Sequence, residues 1–134
     1  MAKLSEIEGI GKLFTEKLKE AGISSQEDLL AACATKDARS ELSEKSDISE
    51  KLLLKWANRA DLARIKGIGG EYADLLEMAG VDTVPELAKR RMDNLYAKIA
   101  EINSTQKLVR KLPTEKQVGE WIRHAAELPR MLKY

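Results

Sequence analysis

Two five-residue stretches combine the residue types that hold an anion without any catalytic group. Ile7-Glu8-Gly9-Ile10-Gly11 and Ile65-Lys66-Gly67-Ile68-Gly69 each set Gly-Ile-Gly between two helical patterns. Such a bend is tight: the glycines supply backbone angles closed to other residues, and the isoleucine turns inward. The last glycine opens a helix whose first amide N–H groups have no partner within the helix. Those donors lie at the positive end of the helix dipole and can take a phosphate. The expected contacts are the amides of Gly11 and Lys12 and of Gly69 and Gly70, with Lys12 or Lys66 adding charge. Glu8 and Glu16 oppose an anion at the first hairpin and Glu71 at the second, where Arg64 and Lys66 favour one. The same glycines also suit a plainer purpose, letting two helices turn and pack closely. Both readings stand at this point.

Cationic side chains recur in Lys89-Arg90-Arg91 and in Lys107, Arg110 and Lys111. On DNA they would release counterions and make binding steeply salt-dependent. On a small helical protein the same runs form a solvated face. Leu108 and Val109 inside the second run point to partial burial or to a small sticky surface. The nucleic-acid-binding set expected from sequence is Gly9, Gly11, Lys12, Lys66, Gly67, Gly69, Gly70, Lys107, Arg110 and Lys111.

Other chemistry finds little support. Cys33 is the single cysteine, which excludes an intrachain disulfide and a cysteine metal cluster. It follows Ala31-Ala32 on an apolar helix face and reads as a small hydrophobe. His124 stands alone, with no ligand spacing for a metal and no identifiable group to orient it as an acid or base. Gly-x-Ser-x-Gly and the phosphate-binding Gly-x-x-x-x-Gly-Lys-Ser/Thr are absent from the sequence. No catalytic residue, metal site or cofactor is expected, and the chain reads as a non-enzyme. Trp56 and Trp121 can stack on bases, but they lie on apolar stripes and read as core.

The elements that must position the glycines come in two sets. The second hairpin follows the first at an offset of 58, kept through Phe14/Tyr72, Leu18/Leu76, Gly22/Gly80 and Leu29/Leu87. A register this long reads as one supersecondary unit used twice. Each hairpin is followed by a helix, over residues 12–21 in the first copy, that stops at Gly22 or Gly80. Ser24-x-x-Glu27 and Ser25-x-x-Asp28 restart the first copy, and Thr83-x-x-Glu86 with Pro85 restarts the second. Residues 1–6 form a short lead-in helix. Helices over residues 37–45 and 93–102 match at offset 57. Two tryptophan-bearing helices, residues 49–62 and 114–128, match at offset 65. About eight extra residues therefore fall near 103–111.

With 43% apolar and 34% charged residues, 134 residues suffice for one domain or two small ones. Net charge is +1 overall, but −2 over residues 1–62 and +3 over residues 63–134, so an anion-binding face belongs mainly to the second half. The first eleven residues have no apolar core of signal-peptide length, and no stretch reaches a membrane span. A cytoplasmic protein with no membrane partner is expected.

An apolar residue, a spacer, Gly-apolar-Gly and a small residue four places on (Ala73, or Thr15 in the first copy) resembles the helix-hairpin-helix motif. That motif binds the DNA backbone without sequence specificity, and the resemblance also implies that hairpin carbonyls can hold a monovalent cation. The joints at residues 46–49 and 111–114 occupy the place of a second, degenerate hairpin. The whole chain resembles an uncharacterised bacterial and archaeal family of domain-of-unknown-function proteins built from two such domains. The resemblance implies an all-α fold: two pseudo-symmetric helix-hairpin-helix domains, residues 1–63 and 64–134, of about five helices each. The expected function is a non-catalytic module that contacts the DNA phosphate backbone. The rival is a protein-interaction or scaffold module that kept the fold without binding DNA. Sequence leaves the oligomeric state open.

Overall fold

Capping signals and apolar periodicity lead to helices in the computed structural model, which describes residues 3–7 and 9–133. Every regular element among the described residues is helical. Contacts divide the chain into two units, one of Met1–Asp61 with Arg130–Tyr134 and the other of Leu62–Pro129. The tail thus groups with the first unit, where Leu132 is buried in the core. Met1, Ala2, Glu8 and Tyr134 lie outside the described residues, so the opposition expected from Glu8 and the start of the lead-in helix do too.

In the first unit a short 3-10 turn, Leu4–Glu6, precedes α1 (Lys12–Glu20), α2 (Gln26–Ala32), α3 (Lys36–Ser46) and α4 (Glu50–Leu62). The lead-in is therefore a single turn. Ser25, not Ser24, caps α2, with its hydroxyl accepting from the Asp28 amide. Asp28 reciprocates one residue earlier, accepting from the Ser24 amide at 3.1 Å. Leu18, Leu29, Leu53 and Trp56 form the centre of the core. Cys33 is buried there, and burial pushes its thiol up to about 11, partly offset by the Arg39 guanidinium. It stays a neutral thiol at ordinary pH. Arg39 is itself buried and donates to the Cys33 carbonyl at 2.8 Å.

The second unit holds α5 (Gly70–Met78), α6 (Val84–Ala88), α7 (Met92–Gln106) and α8 (Glu115–Glu127). The unit begins at Leu62, the last residue of α4, so it shows four helices with no lead-in helix of its own. Leu76, Leu87, Leu95, Ile99 and Val118 are buried at its centre, and α8 packs on α6 and α7. Thr114 and Gln117 cap α8 reciprocally, at 3.0 and 2.8 Å. Thr114→Ala should lower stability by about 1 kcal/mol, read as faster hydrogen exchange along α8.

The extra residues of the second half have a definite location. Asp47 and Lys107 end α3 and α7 in the left-handed region, at φ 58° and 49°. Their offset is 60, between the 57 of the preceding helices and the 65 of the tryptophans. Counted from the matched Leu42 and Ile99, three residues therefore extend the end of α7 and five lengthen the loop after it. No helix among the described residues is long and apolar enough to cross a membrane.

Candidate nucleic-acid interface

Both hairpins are turns with buried ends. The amide of Ile10 donates to the carbonyl of Ile7 at 3.2 Å, and that of Ile68 to Ile65 at 3.1 Å. All four isoleucines are buried, while Gly9, Lys66 and Gly67 between them are exposed. The third residue of each turn has positive φ, +94° at Gly9 and +95° at Gly67, as a type II turn requires. Here the expectation that glycine supplies a closed angle holds.

It does not hold at the second glycine of each pair. Gly11 (φ −90°, ψ −169°) and Gly69 (φ −95°, ψ −171°) are extended, a conformation open to any residue. A Cβ at either position would meet nothing within 4 Å. Glycine here leaves out a cap rather than fitting a bend. Ser25, Thr35, Ser49, Thr83 and Thr114 each cap the helix that follows with a side-chain oxygen. Gly11 and Gly69 offer none, so among the described residues no N-cap side chain covers the first-turn amides of α1 and α5, which can take an outside acceptor. Arg91 also opens α7 without a cap, but Asp93 accepts the Asn94 amide inside that turn at 2.8 Å. The first turn of α1 holds no acid, whereas that of α5 holds the exposed Glu71.

A tryptophan lies against each turn. A Cβ on Gly9 would stand 3.4 Å from Trp56 Nε1, and one on Gly67 would stand 3.0 Å from Trp121 Nε1. Phe14 meets Trp56 edge-on at 5.0 Å, and Tyr72 meets Trp121 at 5.3 Å. Each hairpin thus rests on the tryptophan of its unit's last long helix and on an aromatic from the helix it opens. The tryptophans are 1% and 3% exposed, which rules them out as stacking platforms for bases. Sequence periodicity placed them in the core but gave no sign of this contact.

The structure brings some expected residues together and not others. Tyr72, in the first turn of α5, donates its hydroxyl to the Lys111 carbonyl at 3.0 Å. The loop is fixed further back by Asn103, whose side-chain amide exchanges hydrogen bonds with the backbone of Val109 at 3.0 and 3.1 Å. Val109 is buried and Leu108 half-buried, so the sticky-surface reading gives way to anchoring. Lys107, Arg110 and Lys111 are exposed. Among the described residues no hydrogen bond or ion pair joins Lys107 or Arg110 to the second hairpin. Lys66, Gly67, Gly69 and Gly70 lie together at the exposed turn, whereas Gly9, Gly11 and Lys12 belong to the other unit. Two basic residues serve the fold instead: Arg64 donates to the Pro129 carbonyl at 3.0 Å, and Arg90 to the Gly80 carbonyl at 3.1 Å.

Beside the second hairpin runs an open groove of about 450 Å³, with Lys66 and Gly67 on one side and α8 on the other. Gln117, Glu120, Trp121, Arg123, His124 and Glu127 line it from α8. Sequence reading missed this stripe, although its i, i+3, i+4, i+7 spacing was visible. No group of three His, Cys, Asp or Glu side chains among the described residues is placed to hold a metal. The hairpin carbonyls of Ile7 and Ile65 accept amides across their own turns, and among the described residues no orphaned polar side chain at either hairpin calls for a cation. No role is therefore assigned to a cation.

A family model described as a domain of unknown function, DUF4332, matches residues 8–128. No curated protein and no solved structure matches.

Proposed function

We propose, from the premise that this chain belongs to the DUF4332 family, a domain of unknown function, that it is a non-catalytic module for the nucleic-acid phosphate backbone. In this reading residues 1–63 and 64–134 are tandem, pseudo-symmetric helix-hairpin-helix domains, and the second carries the contact. The observation that carries the reading is the open start of α5. Gly69 leaves out a cap that would have fitted, beneath an exposed turn bearing Lys66. Lys111, tied to the same helix through Tyr72, and the exposed Lys107 and Arg110 extend the charge. The first hairpin, with Gly9, Gly11 and Lys12, has matching glycine angles and supplies a weaker contact.

Duplex DNA binding across a salt series tests this. Weak binding should fall as salt rises, with a slope of about −0.9 per phosphate contacted. Lys66→Glu should weaken it much more than Lys12→Glu. Gly69→Asp, which supplies the missing cap, should stabilise α5 by a few tenths of a kcal/mol and yet weaken binding. Absence of binding at low salt would overturn the reading in favour of a protein-interaction module. One observation favours that rival: Leu13, in the first turn of α1, is 62% exposed.

A further inference from the structure

The groove between the second hairpin and α8 carries chemistry that a bare phosphate does not use. Trp121 is 3% exposed, yet among the described residues its indole N–H donates to no acceptor. Among the described residues Gln26 Oε1 is the side-chain polar atom that is both sealed from solvent and unpaired, and it lies in the other unit. The Trp121 indole nitrogen therefore still reaches open space. Gly67 packs closely beside it, a Cβ there standing 3.0 Å from Nε1, and both residues line the groove. A donor that opens on a groove can meet an acceptor brought there.

The neighbouring charges narrow what the acceptor belongs to. Lys66 adds a second donor, and among the described residues it makes no ion pair. Glu120 faces the same groove, also without an ion pair, while Arg123 and Glu127, which line it too, pair with each other at 3.4 Å. A carboxylate beside the indole would repel a polyanion seated there, but it accepts readily from an amine. The fitting occupant carries an acceptor and an amino group side by side and no negative charge at that point. An edge of cytosine, adenine or guanine has this pattern, while thymine and uracil lack the exocyclic amine. Such edges are free for recognition where the base is unpaired. The groove is of a size with small-ligand sites.

We propose that this groove receives one unpaired, amino-bearing nucleobase. The Trp121 indole N–H and Lys66 donate to its ring acceptor or carbonyl, and Glu120 accepts from its amine. The proposal rests on the nucleic-acid reading above and adds to it a preference among bases.

The test is a titration of the ¹⁵N-labelled full chain with cytidine monophosphate, uridine monophosphate, inorganic phosphate and a short duplex. The cytidine nucleotide should move the Trp121 indole N–H signal and bind about fivefold or more tighter than the uridine nucleotide. Glu120→Gln, an exposed change, should bring the two within about twofold and leave the remaining amide spectrum in place. Equal binding of the two nucleotides, an unmoved Trp121 signal, or an equal response to inorganic phosphate would overturn the base site. The duplex reads the hairpin separately, through the amides of Gly70 and Glu71. Shifts there without a Trp121 response to cytidine monophosphate sink the base site and spare the phosphate reading. A selective Trp121 response without duplex shifts supports the base site and removes duplex binding.

Discussion

Gly67→Ala should destabilise the second unit by about 2–4 kcal/mol, while Gly69→Ala, two residues on, should cost about 1 kcal/mol or less. The first residue stands at φ +95°, where an L side chain is strained by about 1–3 kcal/mol. Its new methyl would also lie 3.0 Å from Trp121 Nε1, and a rigid, buried ring has little room to give. Overpacking of that kind adds about 1–3 kcal/mol. Gly69 has neither problem, being extended with nothing within 4 Å of a Cβ. Its alanine variant loses at most the modest advantage of glycine over alanine at a helix start. Native-state hydrogen exchange in α5 measures both, because it localises the loss to the unit concerned. Equal costs at the two positions would contradict the distinction between a glycine required by the turn and one that leaves the amides open.

Trp121→Ala should be the larger loss, about 3–5 kcal/mol, the range for deleting a buried tryptophan. The ring lies against Gly67, meets Tyr72 at 5.3 Å and belongs to the second core. Since whole domains are stable by only about 5–15 kcal/mol, this change alone should leave the second unit partly unfolded at room temperature. Circular dichroism at 222 nm and hydrogen exchange should both report it. An exposed stacking platform would behave differently, losing affinity for nucleic acid with helix content unchanged.

Much of the helical order was legible in the sequence because its causes are local. The Thr114/Gln117 box, Thr83 ahead of Pro85, and the glycine stops at Gly22 and Gly80 act within a few residues, and the helices begin and end beside them. Ile23 and Val81 then donate back to Leu18 and Leu76 at 2.8 Å, as a glycine-stopped helix requires. What periodicity could not show was contact across long separations. The seating of Trp121 on Gly67 and the Tyr72 bond to Lys111 join residues 54 and 39 positions apart. Composition also misled about Gly69: its glycine looked like a conformational need until the backbone proved extended. The groove on α8 went unread for a related reason. Its lining residues occupy the polar flank of a stripe whose apolar centre, Val118, Trp121 and Ala125, drew the reading to the core.

The most direct test of the account follows backbone amides of the ¹⁵N-labelled full chain as a short duplex is added at low salt. The largest shifts should fall at Lys66 and at residues 69–72, reversed as salt is raised, with smaller ones at residues 11–13. Shifts that gather elsewhere, or a spectrum unchanged at the highest duplex concentration, would contradict the claim that the open start of α5 takes a phosphate.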